Sequence, residues 1–456
     1  MYKKILIASL ALIAGLASCK KDDPTPSPNP PSTLTIDGVA STLEFYQLDT
    51  AHLSVAGVAK DAAAKAVWAV NGAKAAEGAT FDFTTAHPGK YEITLTVDGK
   101  SAKQTYTVAP RFSEGAFLLN EGNFGNETGS LTYIHPSKKL VIDQAYYRVN
   151  GTKLGNVCQD LAFGNDQIYI LSQLGPKNGG EGLLTIARSN SLEKVKVYND
   201  EALAQSTPTH IAVLRDHIYI RTERDGILRG SSEGGFTPIT GTKKALKQRM
   251  AQIGERLFAL TKDNKVLMIQ GTQVVRELDL SPAKPSGIAV SHDGKLWVST
   301  TSPNAILKVD PTPDNFVALD THILDKSISA TGPESWQRTT SSAFFAHGDK
   351  LYFTGQSSVI YCHDFATSKT SQVIDVKTID GVGTSANMYY NSLGVDPSTG
   401  ELYYAAFEGY STYNKKNVTM VLKADGTKLL LKEKVNSFPA GFYFIPNAAS
   451  RTGANR

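Results

Sequence analysis

The sequence predicts an all-β protein: a small N-terminal β-sandwich followed by a seven-bladed β-propeller that the C-terminal strand closes. Three observations predict it. From Gly115 onward a strand–turn–strand unit recurs about every 35–55 residues, the interval of a four-stranded blade. The repeat region starts one strand short, at 115-GAFLLNEG-122, and finishes with one to spare, at 438-FPAGFYFIP-446. Nowhere in it does an apolar pattern keep a helical period beyond a turn or two.

Taken in chain order, the first element is an export signal. Lys3 and Lys4 precede an apolar run from Ile5 to Leu16, too short to span a bilayer and laid out as a secretory signal. Leu16-Ala17-Ser18-Cys19 resembles a bacterial lipobox, which implies a cut after residue 18 and a lipid on Cys19. A plain signal peptide with an incidental cysteine is the alternative. Lys21-Asp22-Asp23 resembles the signal that carries Bacteroidetes lipoproteins to the outer face of the outer membrane, against a solvated charge cluster as the plain reading. The expected location is the outer membrane, anchored at Cys19 and exposed on the cell surface. Residues 1–18 are then signal and 19–33 a tether, whose stretch 22-DDPTPSPNPPS-32 favours extended polyproline geometry.

Residues 34–110 carry a compact β pattern. Period-two alternation in YEITLTV and the Asp98-Gly99 turn before a matching strand predict a hairpin. Trp68 is expected in the core and Tyr91 at a corner. Their Pro-Gly-x-Tyr and Trp pattern resembles an immunoglobulin-like or PKD-type module, read as a spacer. Asp49-Thr50-Ala51 resembles the short O-glycosylation sequon of Bacteroidetes.

The propeller is expected over 113–447, with 448–456 as a tail. Its units are 160-DLAFGNDQIYILSQ-173, 210-HIAVLRDHIYIRT-222, 251-AQIGERLFALT-261, 287-GIAVSHDGKLWVST-300, 343-AFFAHGDKLYFTG-355 and 393-LGVDPSTGELYYAA-406. Each is followed by one or two further short strands. Six units plus one built from both ends give seven blades, and the shared blade removes two exposed strand edges. A split or merged unit would make the count six or eight.

The stretch 118-LLNEGNFGNETGSLTYI-134 then acquires a place. Its loop, Asn120 to Gly129, joins the second and third strands of the shared blade, on the rim where the chain enters each innermost strand. Long loops gather there, at 172–182, 328–342, 380–392 and 405–417, whereas the opposite turns are short, as in SHDGK. Long loops on one face of a rigid scaffold form recognition surfaces. The candidate ligand-binding residues are Asn120, Glu121, Asn123, Asn126, Gln173, Trp336, Arg338, Tyr389, Tyr390, Tyr410 and Tyr413. Amides and aromatic rings offer hydrogen bonds and stacking without net charge, which suits a planar or amide-bearing ligand. Turn formation and edge packing are the plain reading of each residue.

Other chemistry is poorly represented. The chain has 456 residues, 41% hydrophobic and 20% charged, a globular composition whose net charge of +4 is too weak to argue for nucleic acid. Beyond Cys19 there are Cys158 and Cys362, too few and too far apart for a thiolate zinc site or a disulfide scaffold, so both are expected as buried thiols. Gly230-x-Ser232-x-Gly234 fits a nucleophile elbow in spacing, but 225-DGILRGSSEGGFTPI-239 reads as a hairpin turn. No histidine pair has metal-ligand spacing, and His210, His217, His347 and His363 lie in or beside strands. No metal, cofactor or catalytic residue is expected.

The runs FLLNEGNFGNETGSLTYI, 149-VNGTKLGNVCQDLAFGNDQIYILSQ-173 and 438-FPAGFYFIP-446 resemble the YncE-like surface propeller lipoproteins of Bacteroidetes, over about Gly115 to Pro446. Best known among the relatives are lipoproteins that capture vitamin B12 above a TonB-dependent outer-membrane transporter. The resemblance thus implies a nutrient-binding propeller with a corrinoid as first candidate ligand, such a transporter as partner, and a ligand role for Asn120 and Glu121. Two other classes stay open. One is an adhesive or structural surface protein that binds a glycan or a host macromolecule through the rim. The other is a lactonase-like or quinoprotein-like propeller enzyme, disfavoured by the missing metal and cofactor patterns.

Overall fold

The computed structural model describes residues 33–41, 43–291, 294–328, 344–355, 357–388 and 393–446. Within these the chain divides into two compact units, one holding residues 33–40, 52–82 and 92–105, the other 41, 43–51, 83–91 and everything described from 106 onward.

In the first unit, strand Val67–Val70 pairs antiparallel with Ala73–Glu77 on one side and with residues 93–96 on the other. Trp68 is fully buried opposite Leu95, packs 5.6 Å from Phe81, and its indole N–H donates to Gly78 O at 2.8 Å. A buried indole needs such a partner, because its polar edge would otherwise be desolvated without compensation. Asp98 and Gly99 both take positive φ (45° and 77°), the conformation that a two-residue hairpin of this twist requires.

The second unit contains seven four-stranded antiparallel sheets. Each of the six repeated units forms the first hairpin of one sheet. The first sheet runs Asn156–Gly164, Gln167–Gly175, Leu184–Arg188 and Lys194–Tyr198 from inside to outside. The later ones begin at Pro208–Leu214, Ala251–Ile253, Pro285–Val290, Phe344–His347 and Leu393–Val395. In the seventh, the C-terminal strand Pro439–Phe444 takes the inner place beside Ala116–Asn120, followed by Ser130–His135 and Leu140–Ile142. The two chain ends therefore complete one sheet.

Burial across a sheet explains the sequence pattern. Middle strands such as Leu402–Phe407 and Asn417–Leu422 are buried throughout and apolar on both faces. Outer strands such as Gln273–Asp279 are mostly exposed and polar. Every consecutive pair of sheets shares a hydrophobic cluster, and the seventh sheet packs on both the sixth and the first, so the series closes on itself. The innermost strands of all seven line a central channel of about 430 Å³.

Turn chemistry fixes the hairpin register at one end of the sheets. Asn165 and Asp166 both adopt φ near +55°, and Arg215 and Gly254 are likewise left-handed. At the other end, four innermost strands carry register shifts close to their start, at Asn156/Cys158/Asp160, Pro208/His210, Pro285/Gly287 and Pro439/Gly441. Such bulges re-aim side chains. One result is a buried network in the channel wall. Asp160 Oδ2 accepts the Ile211 N–H at 2.9 Å, Oδ1 accepts the Tyr443 hydroxyl at 2.7 Å, and Arg249 Nε lies 3.4 Å away. A Cβ at Gly441 would collide with the Arg249 guanidinium, which also sits 4.1 Å from the Tyr443 ring centre.

Cys158 and Cys362 are buried free thiols. Ser232 sits in a hairpin turn between strands Gly226–Ser231 and Gly234–Pro238, so a second strand follows it where a nucleophile elbow needs a helix. His347 Nδ1 lies 3.0 Å from Pro397 O, and His363 lies between His322 and Thr370. Among the described residues no group of three or more His, Cys, Asp or Glu could hold a metal, and no helix is long and apolar enough to cross a membrane.

Candidate functional site

The loop Asn120–Gly129 connects the second and third strands of the shared sheet, at the end where the chain enters the innermost strands. Its base is tied down by hydrogen bonds. The Asn120 amide donates to Ser130 Oγ (3.2 Å) and Thr132 Oγ1 (3.3 Å), and its carbonyl accepts the Ser437 N–H (3.0 Å). The Glu121 N–H donates to Phe438 O and its C=O accepts the Cys158 N–H. Ser437 Oγ donates to Glu127 Oε2 at 2.9 Å, and the Asn156 amide donates to Glu127 O. Gly129 is required here, because a Cβ would collide with the Cys158 thiol. One loop thus joins the seventh sheet, the first sheet and the segment leading into the closing strand.

This geometry separates the sequence candidates. Asn120 is 1% and Glu121 7% exposed, so both belong to the base of the loop rather than to its outer surface. Asn123 is half-buried, with Oδ1 accepting the Gly125 N–H at 3.1 Å, and Asn126 is exposed. Tyr413 is buried against Phe438, ring centres 4.5 Å apart, with its hydroxyl held by Glu127 and Asn123. Tyr410 stacks on Phe438 at 5.6 Å yet stays 39% exposed. Gln173 is half-buried near the end of strand Gln167–Gly175. Trp336, Arg338, Tyr389 and Tyr390 lie outside the described residues, as does Cys19.

Sequence reasoning missed Phe124, which stands 61% exposed on the loop with the Lys177 ammonium 4.8 Å from its ring centre. Its signal was available: one large apolar residue among Asn and Gly has no core to join. It also missed Phe438, around which Phe407, Tyr410 and Tyr413 gather. No local pattern marks that role, since Phe438 precedes the closing strand and meets partners distant in sequence.

Electrostatics reflect burial throughout. Burial, then the Glu121 carboxylate, pushes the Cys158 thiol and the Tyr410 hydroxyl up. Burial followed by the hydrogen bond to Glu127 does the same for Tyr413. The thiol therefore stays protonated and inert at neutral pH.

Behind the loop lies a polar cavity of about 420 Å³, bounded by Asn126 and Glu127, by Tyr146 and Tyr147 of the short helix Ala145–Asn150, and by the segments at 153–154 and 434–437. At the opposite end of the sheets a wider cleft of about 1160 Å³ spreads over the short turns at 164–167, 214–217 and 254–255. In the wall of the central channel Asp160 accepts the Tyr443 hydroxyl and pairs with the Arg249 guanidinium, whose two Nη atoms donate to Phe442 O and Ala440 O.

Residues 114–446 match the family described as a domain of unknown function, DUF5074. No curated protein matches the sequence. Among solved structures, a quinoprotein alcohol dehydrogenase-like protein from Bacteroides thetaiotaomicron is similar, with a TM-score of 0.58 and 15% identity over 92% of this chain and 98% of that one. A protein from Lactobacillus plantarum has a TM-score of 0.47 and 13% identity, over 73% of this chain and 99% of that one. A streptogramin B lyase has a TM-score of 0.42 and 15% identity, over 63% of this chain and 90% of that one. At such identity the likeness to the first is one of fold: all-β and β-propeller-like.

Proposed function

This chain belongs to the DUF5074 family, and on that premise we propose that it is a surface lipoprotein that captures a small nutrient on the loop-bearing rim. The family's own description names no function, so the reading rests on the site. In it, the seven sheets are the blades of one propeller and the N-terminal strands an immunoglobulin- or PKD-like stalk. Cys19 carries the lipid at the outer membrane, and the captured ligand passes to a TonB-dependent transporter.

One observation carries the binding reading. The loop has a base locked by buried and half-buried hydrogen bonds, and Phe124 and Asn126 on it, with Tyr410 of the neighbouring segment, are exposed to solvent. Rigid support lowers the ordering cost of binding, and exposed rings with amides favour stacking and neutral hydrogen bonds. A corrinoid is the first candidate on that chemistry: a broad ring edged by carboxamides matches aromatic faces and amide side chains. The Ser437–Glu127 hydroxyl–carboxylate pair serves the base of the loop, and the reading is binding without chemistry.

Calorimetric titration of the purified chain with cyanocobalamin tests it. One-to-one binding is expected, weakened at least ~10-fold by Phe124→Ala combined with Tyr410→Ala. No heat at tens of micromolar protein would remove the corrinoid and leave the fold untouched.

A further inference from the structure

We infer that the polar cavity behind the loop is a binding site for a neutral saccharide, separate from the exposed Phe124–Tyr410 surface. The cavity measures about 420 Å³, within the ~300–1,000 Å³ usual for small-molecule sites and near its lower end. That size fits one or two sugar rings.

The lining selects the class. Asp143, Glu127, Lys153 and Lys434 line it, together with Asn126 and Asn414. Two acids and two lysines cancel, so an anion meets carboxylates and a cation meets ammonium groups. A hydroxyl is served by both, because it donates and accepts at once. Sugars carry such groups in adjacent pairs, and planar amides and carboxylates bridge neighbouring hydroxyls well. Asn436 belongs to the wall. It is 4% exposed and its amide donates to Val418 O and Thr419 Oγ1, while Oδ1 has no hydrogen-bond partner among the described residues.

The walls are also held in place. Asp143 Oδ1 accepts the Gln144 N–H at 2.8 Å and lies 3.2 Å from Thr132 Oγ1. The Tyr146 hydroxyl donates to Glu181 Oε2 at 2.8 Å, and Lys194 in turn donates to Glu181 Oε1. Tyr147, 47% exposed beside it, offers a ring face on which the C–H face of a pyranose can lie. Burial holds the Asp143 carboxyl above its ordinary range, against the Gln144 N–H, the Thr132 hydroxyl and the Arg148 charge, which pull it down.

Saturation-transfer NMR of the purified chain, with glucose, galactose, mannose, N-acetylglucosamine and maltose as probes at millimolar concentration, tests the inference. At least one of these should show transfer, with its affinity reduced ~10-fold or more by Tyr147→Ala and by Asn414→Ala, both surface changes. Phe124→Ala with Tyr410→Ala should leave that signal unchanged, and Tyr147→Ala should leave any cobalamin titration unchanged. The two readings therefore fail separately. The saccharide site is overturned if none of the probes shows transfer, if transfer survives both cavity variants, or if glucose 6-phosphate or glucosamine binds tighter than glucose.

Discussion

The two ends of the sheets differ in a way that cavity size alone would misjudge. The end with short turns holds the wider cleft, about 1160 Å³ against about 420 Å³. Yet several of its polar side chains serve the turns themselves. Asn165 donates to Arg215 O at 2.7 Å, Arg215 pairs with Glu255, and the Tyr219 hydroxyl donates to Gly271 O at 3.0 Å. At the loop-bearing end the hydrogen bonds run beneath the surface, through Asn120, Thr132, Ser437 and Glu127, and leave Phe124, Asn126, Tyr147 and Tyr410 to the solvent. Bonds that hold a surface from beneath give it the rigid support that the proposed binding site needs.

Four perturbations would break or sharpen that contrast. The largest effect is expected in the channel that both ends share. Asp160→Ala leaves the Ile211 N–H, the Tyr443 hydroxyl and the Arg249 charge without their acceptor, at a cost of about 3–5 kcal/mol in urea unfolding. A loss below about 1 kcal/mol would mean that the network is not formed.

Next comes the direct comparison of the two ends. Asn120→Ala removes three hydrogen bonds, one buried and two half-buried, and should cost about 2–4 kcal/mol. Asn165→Ala, at an exposed turn with φ +52°, should cost only about 1 kcal/mol. Equal losses would erase the distinction drawn between base and turn.

Gly129→Ala should cost about 1–3 kcal/mol by overpacking against Cys158. Combining it with Cys158→Ala should recover part of that loss and no more, since the Cys158 Cβ would still lie 2.6 Å from the new methyl group. Full recovery would show that the thiol alone sets the spacing.

The smallest effect concerns pH. Burial raises the Asp143 pKa in the folded chain above its unfolded value. The folded state then holds the proton more tightly, so its contribution is fully present below the unfolded pKa and falls as pH rises through the window up to the folded one. Asp143→Asn should remove that component, which appears as a pH-dependent difference between the two unfolding curves. Parallel curves from pH 3 to 7 would contradict it.

Much of the fold was legible because it repeats. The six hairpins from DLAFGNDQIYILSQ to LGVDPSTGELYYAA each form the first two strands of a sheet, as their turn residues and apolar alternation indicate. The closing strand was legible as well, since GAFLLNEG lacked an inner neighbour and FPAGFYFIP lacked an outer one. The site was legible only in part. Asn123, Asn126, Tyr410 and Tyr413 do gather around the loop, but Asn120 and Glu121 turn out to hold it from below.

The sequence by itself determined the strand pattern and the turn chemistry, because these depend on neighbours two to twenty residues apart and on the period of the pleat. The shared sheet was legible from the count of strands, although its two inner strands lie some three hundred residues apart. Which polar side chains face solvent was decided only by the closed tertiary structure. Asn120 is buried because Ser437, some three hundred residues later, arrives beside it, and Asp143, Tyr147 and Asn436 become one cavity because distant segments converge there. Burial of a polar group is a property of everything packed around it, and no local pattern contains that information.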